Sequence, residues 1–236
     1  RGGESTAKFN ELHRNEGNGV FTDVSESSNM FDPVQTWSSA WNDFDNDGDM
    51  DALIGASSTA DGTHKLMLNN SDGTFTDITF GSGWDENYSY NIEHITRDFD
   101  NDGFADVLGG GNKIMLNNGN LTFTPISVPF GVGAVGDLNN DGFLDIQNGT
   151  TIYFANPNEN HWITLNLQGV ASNKNGIGAR VEIYGSWGKQ IRDVRSGEGF
   201  KYMSTLNPHF GIGQATSIDE VRVLWPSGTV DVITNP

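Results

Sequence analysis

The sequence repeats one nine-residue pattern, D-x-[DN]-x-D-G-x-x-D, three times within its first two thirds. The copies read DFDNDGDMD from Asp43, DFDNDGFAD from Asp98 and DLNNDGFLD from Asp137. Carboxylates this close together repel one another, and none of the three stretches contains a basic residue. The pattern therefore predicts loops whose charge is neutralised by a cation from outside the chain.

The spacing of the oxygen ligands favours calcium. Side-chain oxygens at positions 1, 3, 5 and 9, with a backbone carbonyl at position 7, form a flexible cage that suits Ca²⁺ better than Mg²⁺. The glycine at position 6 allows the sharp turn around the ion. The predicted ligands are Asp43, Asp45, Asp47, Asp49 and Asp51 in the first loop, Asp98, Asp100, Asp102, Phe104 and Asp106 in the second, and Asp137, Asn139, Asp141, Phe143 and Asp145 in the third.

We expect two or three bound Ca²⁺ ions with a structural role. The third loop should bind most weakly, because Asn139 replaces one carboxylate there. Twelve of the 31 acidic residues lie in these loops, and three ions would change the formal net charge from -18 to -12. The alternative is a solvated acidic turn that binds no ion.

The loops differ from EF-hands. An EF-hand needs a bidentate Glu at position 12 and a helix on each side. Position 12 is Ile54, Gly109 or Asn148 here, and the flanking segments have the pattern of strands. The lack of His and Cys in the loops also makes zinc and copper poor candidates.

The loops alternate with predicted hairpins. The segments 12–24, 66–78 and 114–126 each read as strand, Asn/Gly turn, strand, and a fourth start at 151–156 lacks a return strand. The resulting unit has four strands, and the loops recur after 55 and 39 residues, which is typical of a β-propeller blade. With 30 glycines and no long helical periodicity, the chain is predicted to be all-β.

The last part of the chain has a different pattern. Residues 157–236 lack an aspartate loop and contain segments that alternate apolar and polar residues, among them ARVEIYG and EVRVLWP. These predict a small β-sandwich or barrel, closed by a hairpin whose turn is PSG at 226–228. We therefore divide the chain into 1–156, with about three to four blades, and 157–236.

Both parts resemble known families. The aspartate loops, with FGSGW at 80–84 and FGVGAVGD at 130–137, resemble the FG-GAP or VCBS repeats of the integrin α-subunit propeller and of secreted bacterial proteins. The segments SNKNGIGARVEIY, IRDVRSGEGF, HFGIG and VRVLWPSGTV resemble the ASPIC/UnbV domain, which follows such repeats in bacterial surface proteins and in cartilage acidic protein. The resemblance implies a partial integrin-like propeller whose N-terminal blades lie outside this sequence.

Composition and motifs narrow the function. The net charge of -18 disfavours nucleic acid and anionic membranes as partners, and no apolar run approaches a membrane span. The five histidines show no i, i+4 pair, and nucleophile-elbow and zincin motifs are absent, so we expect no catalysis. We expect an extracellular or cell-surface adhesion module for protein or glycan. The alternatives are a structural subunit of a larger surface assembly and a fragment of a carbohydrate-active enzyme.

One candidate ligand site lies on the rim opposite the calcium loops. Trp84, Tyr88 and Tyr90 fall in one connection, beside Asp85 and Glu86, and aromatic rings of this kind stack on sugars or grip peptides. The alternative is that these aromatics pack between blades. The glycines in RSGEGF and NPHFGIG have a simpler interpretation as tight turns.

Overall fold

The computed structural model describes residues 10–32, 36–56, 64–85, 93–109, 111–198 and 201–236. Within these ranges the chain forms nineteen strands and no helix. None of the described residues therefore belongs to a helix capable of crossing a bilayer. The all-β prediction is confirmed.

The first part of the chain is a series of antiparallel meanders. A hairpin comes first and is followed by two four-stranded sheets and one three-stranded sheet, each with its strands in sequential order. The hairpin consists of β1 (His13–Gly17) and β2 (Val20–Asp23), and the first four-stranded sheet consists of β3 (Thr36–Asn42), β4 (Asp51–Ala56), β5 (Lys65–Asn69) and β6 (Phe75–Asp77). The second four-stranded sheet consists of β7 (Ile95–Arg97), β8 (Asp106–Leu108), β9 (Lys113–Asn117) and β10 (Phe123–Ser127). The three-stranded sheet consists of β11 (Ala134–Gly136), β12 (Asp145–Asn148) and β13 (Thr151–Tyr153).

The three aspartate loops occupy the same place in their sheets. Each loop joins the first strand to the second, and the aspartate at position 9 is the first residue of the second strand. The residue before each loop pairs with that aspartate across the ladder: Asn42 with Asp51, Arg97 with Asp106, and Gly136 with Asp145. This common register confirms that the sheets are repeats of one blade. The last blade has three strands, as the missing return strand predicted.

Apolar side chains from neighbouring blades form the core. One cluster joins the two four-stranded blades and includes Phe44, Leu53, Val107 and Phe123. A second cluster joins the last two blades, and a third joins the N-terminal hairpin region to the first blade. Face-to-face packing of successive blades is the arrangement of a propeller arc.

The C-terminal part forms a small two-sheet sandwich. Strand β14 (His161–Thr164) pairs with β17 (His209–Gly213), and the second sheet has the order β16-β15-β18-β19. Its strands are β15 (Arg180–Gly185), β16 (Gly188–Asp193), β18 (Glu220–Leu224) and β19 (Val230–Thr234). The core between the sheets contains Val181, Ile183, Phe210 and Val223. The predicted PSG turn joins β18 to β19, with Gly228 at a φ of 85°.

Candidate metal centres

The first aspartate loop wraps around its own carboxylates. Asp43 accepts hydrogen bonds from the backbone N–H of Asp47 and of Gly48, both at 3.0 Å. Gly48 has a φ of 100°, which is the left-handed conformation that position 6 was predicted to need. Asp43, Asp45 and Asp47 each place a carboxylate oxygen within 4.8 Å of the others. The loop therefore brings three of its predicted ligands together.

The second loop brings a different trio of carboxylates together, at positions 1, 3 and 9, and at a deeper position. Asp98, Asp100 and Asp106 each offer an oxygen within 4.8 Å of the others. Asp98 is 1% exposed, and its Oδ2 accepts the N–H of Gly103 at 2.9 Å. Among the described residues its Oδ1 has no hydrogen-bond partner, although it is buried. A buried carboxylate oxygen without a donor is costly, and a bound cation would satisfy it, so these residues fit a metal ion.

The third loop has the same turn but a weaker ligand set. Asp137 accepts the N–H groups of Asp141 and Gly142 at 3.1 and 2.9 Å, as its counterparts do. The side chain of Asn139 donates to Asp141 at 2.8 Å, which engages one of the remaining carboxylates. Of the described residues, only groups in the first two loops bring three acidic oxygens within 4.8 Å. The weaker affinity of the third loop stays a prediction.

The carboxylate at position 9 has a role that the sequence did not reveal. Both oxygens of Asp51 accept backbone N–H groups, from Phe44 within the loop and from Asn69 at the end of the third strand, each at 2.9 Å. Asp106 and Asp145 make the same pair of bonds in their blades. This residue fastens the loop to the blade whether or not it also contacts an ion.

The carbonyl ligands predicted at position 7 stay a prediction. In the first loop the structure adds a side-chain candidate at that position, because Asp49 Oδ1 is buried without a hydrogen-bond partner among the described residues. Phe104 and Phe143 occupy position 7 of the other loops, where only the backbone oxygen can bind a cation.

Burial raises the pKa values of the loop carboxyl groups and so disfavours their charged form when no cation is bound. Burial is the largest cause that raises the pKa of Asp43 and Asp102 to about 6 and the pKa of Asp51 and Asp98 to about 7. The pKa of Asp106 is raised well above its usual value by burial and then by Asp98. A divalent cation would reverse these shifts, because it stabilises the charged form.

The asparagine at position 4 connects successive loops. The side chain of Asn46 donates to the carbonyl of Gly103 in the next loop at 3.1 Å, and Asn101 donates to the carbonyl of Gly142 at 2.9 Å. Asn46, Asn101 and Asn140 all have a φ near 60°. The signal was present in the sequence, since position 4 is Asn in all three loops, but the calcium cage alone gives this position no role.

The C-terminal sandwich covers the rim that carries the loops. The N–H of Gly211 donates to Asp98 Oδ2 at 3.1 Å, and the N–H of Gly213 donates to the carbonyl of Asn101 at 3.0 Å. His209 Nε2 lies 2.8 Å from the Asn101 side-chain oxygen. Because that amide donates its N–H to the next loop, the histidine must be the donor here. Strand β17 therefore rests directly on the second loop.

The glycines at position 6 lie against the C-terminal sandwich, and the docking constrains Gly142 most, because its neighbour is the Trp162 ring and not the flexible end of a side chain. A Cβ on any of them would collide with or crowd a side chain of the C-terminal sandwich. The pairs are Gly48 with Lys189 Nζ at 1.7 Å, Gly103 with Gln190 Nε2 at 3.0 Å, and Gly142 with Trp162 Cε2 at 1.6 Å. The loop pattern predicted these glycines by itself, and the second constraint comes from residues far along the chain.

Arg192 places a buried cation between the first two loops. It lies over the Phe210 ring, 5.2 Å from its centroid, and its Nε and Nη2 have no hydrogen-bond partner among the described residues. Its charge lowers the pKa values of Asp43 and Asp98 and so opposes part of the effect of burial. No local motif in the sequence marks this residue.

The segment that follows β16 lies along the innermost strands of the blades. Its contacts are the Arg195 side chain with the Trp41 carbonyl on β3, Glu198 with Arg97 on β7, and the Thr205 N–H with the Val135 carbonyl on β11. The RSGEGF stretch, interpreted from sequence as a tight turn, thus also joins the two parts of the molecule.

The predicted aromatic ligand site is wrong at Trp84. This side chain is fully buried in the cluster between the two four-stranded blades. It packs edge-on against the rings of His64, His94 and Phe123, with centroids 5.7, 6.0 and 5.8 Å away. Burial between blades leaves no face for a sugar or peptide. Tyr88 and Tyr90 lie outside the described residues.

Comparison with known proteins agrees with this architecture. A family model described as FG-GAP-like repeat matches residues 43–109 and 98–146, and a model described as ASPIC and UnbV matches residues 169–236. None of the curated proteins compared with the chain matches it. The blades, their aspartate loops and the C-terminal sandwich correspond in order to the two matches. The chain thus contains FG-GAP-like repeats of a propeller-like fold followed by an ASPIC/UnbV domain.

Proposed function

We propose that the chain is a calcium-stabilised, non-catalytic binding or adhesion module that acts outside the cell on a protein or glycan. The observation that carries the calcium assignment is the second loop, where three acidic side chains converge and a buried Asp98 oxygen lacks a donor among the described residues. FG-GAP-like repeats are typical of extracellular proteins, and this supports the proposed location.

Calcium would be held by the convergent carboxylates of the first two loops. When bound, the ion supplies positive charge that offsets their mutual repulsion and their burial. The chain's own residues do the rest: the position-9 aspartates fasten each loop to its blade, and the position-4 asparagines fasten neighbouring loops to each other. An ion in these loops would therefore stabilise the arrangement of blades.

The affinity expected of such sites supports the proposed location. Extracellular calcium modules bind with dissociation constants of roughly 0.1–1 mM, far above cytosolic calcium. A protein that relies on sites of this strength would be loaded only outside the cytosol. Secretion or surface display is accordingly part of the proposal.

Thermal unfolding with and without calcium tests the proposal. With dissociation constants of roughly 0.1–1 mM, we expect about 2 mM Ca²⁺ to stabilise the chain relative to EGTA by roughly 0.6–1.8 kcal/mol per occupied site, with two or three ions counted by native mass spectrometry. Mg²⁺ at the same concentration should give a smaller shift. Equal stability in calcium and EGTA, with no ion bound, would refute the calcium assignment.

A pair of variants tests whether the calcium-dependent stabilisation arises at the second loop. Asp98→Asn should remove one ion and most of the stabilisation that belongs to the second loop. Asp219→Asn makes the same chemical change at an exposed aspartate outside the loops and should leave ion count and stability unchanged. Calcium stabilisation that survives in Asp98→Asn would show that the ion binds elsewhere.

A further inference from the structure

A cavity of about 450 Å³ lies between the two parts of the molecule. Its walls come from the inner strands of the two four-stranded blades and from the segment that follows β16. The residues that matter to its chemistry are Ser39, Trp41, His94, Asp193, Arg195 and Glu198. Its volume falls in the lower part of the range of about 300–1,000 Å³ that is typical of small-ligand sites.

Arg195 brings a positive charge to this cavity without a carboxylate partner. Its Nη2 donates to the Trp41 carbonyl at 2.7 Å, and no described acidic residue forms an ion pair with it. The two carboxylates of the wall are already matched: Asp193 accepts both a 2.8 Å and a 3.0 Å hydrogen bond from Arg180, and Glu198 pairs with Arg97. Asp193 and Glu198 also attract the Arg195 charge, so the place for an anionic group is at the guanidinium N–H groups that Trp41 does not engage.

Two buried polar atoms of the wall lack a hydrogen-bond partner among the described residues. They are Oε2 of Glu198, which is 8% exposed, and Nε2 of His94, which is 4% exposed. The other nitrogen of His94 lies 2.7 Å from the Ser38 hydroxyl, so the ring is held in place. Buried polar atoms in native proteins are nearly always satisfied, and a ligand in the cavity would satisfy Glu198 Oε2, whereas the Nε2 end of His94 lies against Gly55 and Gly109 of the blades.

Trp41 gives the cavity an aromatic element in a fixed position. Its ring packs edge-on against Phe75 with centroids 5.9 Å apart, and its Nε1 donates to the Ser39 hydroxyl at 3.2 Å. An aromatic side chain fixed beside hydroxyl, carboxylate and guanidinium groups combines an apolar surface with several polar anchors. A sugar ring, which has an apolar face and a polar edge, complements this combination.

The charges distinguish an acidic sugar from an amino acid. An ammonium group would require an unpaired carboxylate, whereas Asp193 and Glu198 are each paired with an arginine. A ligand hydroxyl needs only a free acceptor, which Glu198 Oε2 provides. A ligand carboxylate needs an unpaired cation, which Arg195 provides.

We propose that this cavity binds one carboxylate-bearing sugar unit, of the uronic acid type, with the carboxylate on Arg195 and a hydroxyl donating to Glu198 Oε2. The inference rests on the proposed binding function and names the ligand class for it. It replaces the site predicted at Trp84 with one built by the docking of the C-terminal sandwich on the blades.

Isothermal titration of the full chain in calcium with methyl glycosides of glucuronic acid and galacturonic acid tests this inference, with methyl glucoside as the neutral comparison. We expect binding of at least one uronide in the millimolar range or tighter. Methyl glucoside should bind at least tenfold more weakly. Equal binding of the neutral and acidic sugars would overturn the role given to Arg195, and absence of binding by both uronides would overturn the site.

Arg195→Gln should weaken uronide binding at least tenfold. Arg222→Gln is the matched control, because it removes a guanidinium from the same domain at an exposed position paired with Glu220, away from the cavity. Unchanged uronide affinity in Arg195→Gln would overturn the proposal. The calcium-dependent thermal shift of each variant reports folding and metal loading separately, so failure of the cavity proposal is distinguishable from failure of the calcium assignment.

Discussion

The docking of the C-terminal sandwich on the second loop predicts a large effect for Gly211→Ala. A Cβ at this position would lie 2.3 Å from Asn101 Cα, 2.3 Å from Asp98 Oδ2 and 2.4 Å from the Asn101 carbonyl carbon. Two of these are backbone atoms of a tight loop and cannot rotate away. The methyl group can be accommodated only if β17 moves off the loop, which breaks the Gly211–Asp98 hydrogen bond.

The expected cost follows from these contacts. Inserting a methyl group into a packed position costs about 1–3 kcal/mol, and a hydrogen bond to a charged group contributes roughly 1.5–3 kcal/mol. The two terms overlap because one movement relieves the clash and breaks the bond. We therefore expect Gly211→Ala to lower the free energy of unfolding by roughly 2–5 kcal/mol in calcium.

Urea unfolding followed by tryptophan fluorescence measures this change, with Gly136→Ala as the control. A Cβ at Gly136 would meet Thr205 Cβ at 3.5 Å and Leu138 Cδ2 at 3.9 Å, which are ordinary contacts at the same interface. The control should unfold close to the wild type. If Gly211→Ala also unfolds at the wild-type midpoint, the C-terminal sandwich does not rest on the second loop and the docking argument fails.

Three further predictions concern the blades. Asn46→Ala removes the link to the Gly103 carbonyl and should cost about 0.5–1.5 kcal/mol in urea unfolding, beyond the cost of Asn18→Ala, an exposed control with the same left-handed backbone. Trp84→Ala should destabilise the fold by about 3–5 kcal/mol, and a variant that unfolds like the wild type would contradict its burial. The pKa of Asp51 is about 7 in the folded chain, against 3.8 for the free side chain. In EGTA its contribution to the free energy of unfolding should therefore be complete below about pH 4 and lost as the pH rises through 7, and calcium should remove this loss. A stability in EGTA that rises over this pH range would contradict the pKa shift.

The features predicted correctly from sequence depend on residues close together in the chain. The first loop closes because Asp43 accepts hydrogen bonds from the N–H groups of Asp47 and Gly48, which lie four and five residues away. The hairpins follow from Asn/Gly turns between alternating strands, for example β5 and β6 around Gly73. Spacing alone carries this information, so the loops, the blades and the strands of the sandwich were predictable.

The features that were missed depend on contacts between distant parts of the chain. Gly211 and Asp98 are separated by 113 residues, and nothing in HFGIG indicates that its central glycine meets an aspartate. The prediction of a ligand site at Trp84 was wrong for a related reason. Its neighbours in sequence are polar turn residues, which suggests a surface loop, but Ser82 donates to the Thr79 carbonyl and turns the chain so that the indole enters the core.

Strand β16 connects the metal loops to the proposed sugar cavity. Lys189 and Arg192 face the first two loops, and the chain then continues to Asp193 and Arg195 in the cavity wall. An ion that holds the loops in shape therefore also holds the surface on which β16 rests. Loss of the ion would loosen that surface and move the Arg195 guanidinium relative to Trp41, its hydrogen-bond partner across the interface. If calcium binds as proposed, it would stabilise the blades and also set the geometry of a proposed site that neither part of the molecule forms alone.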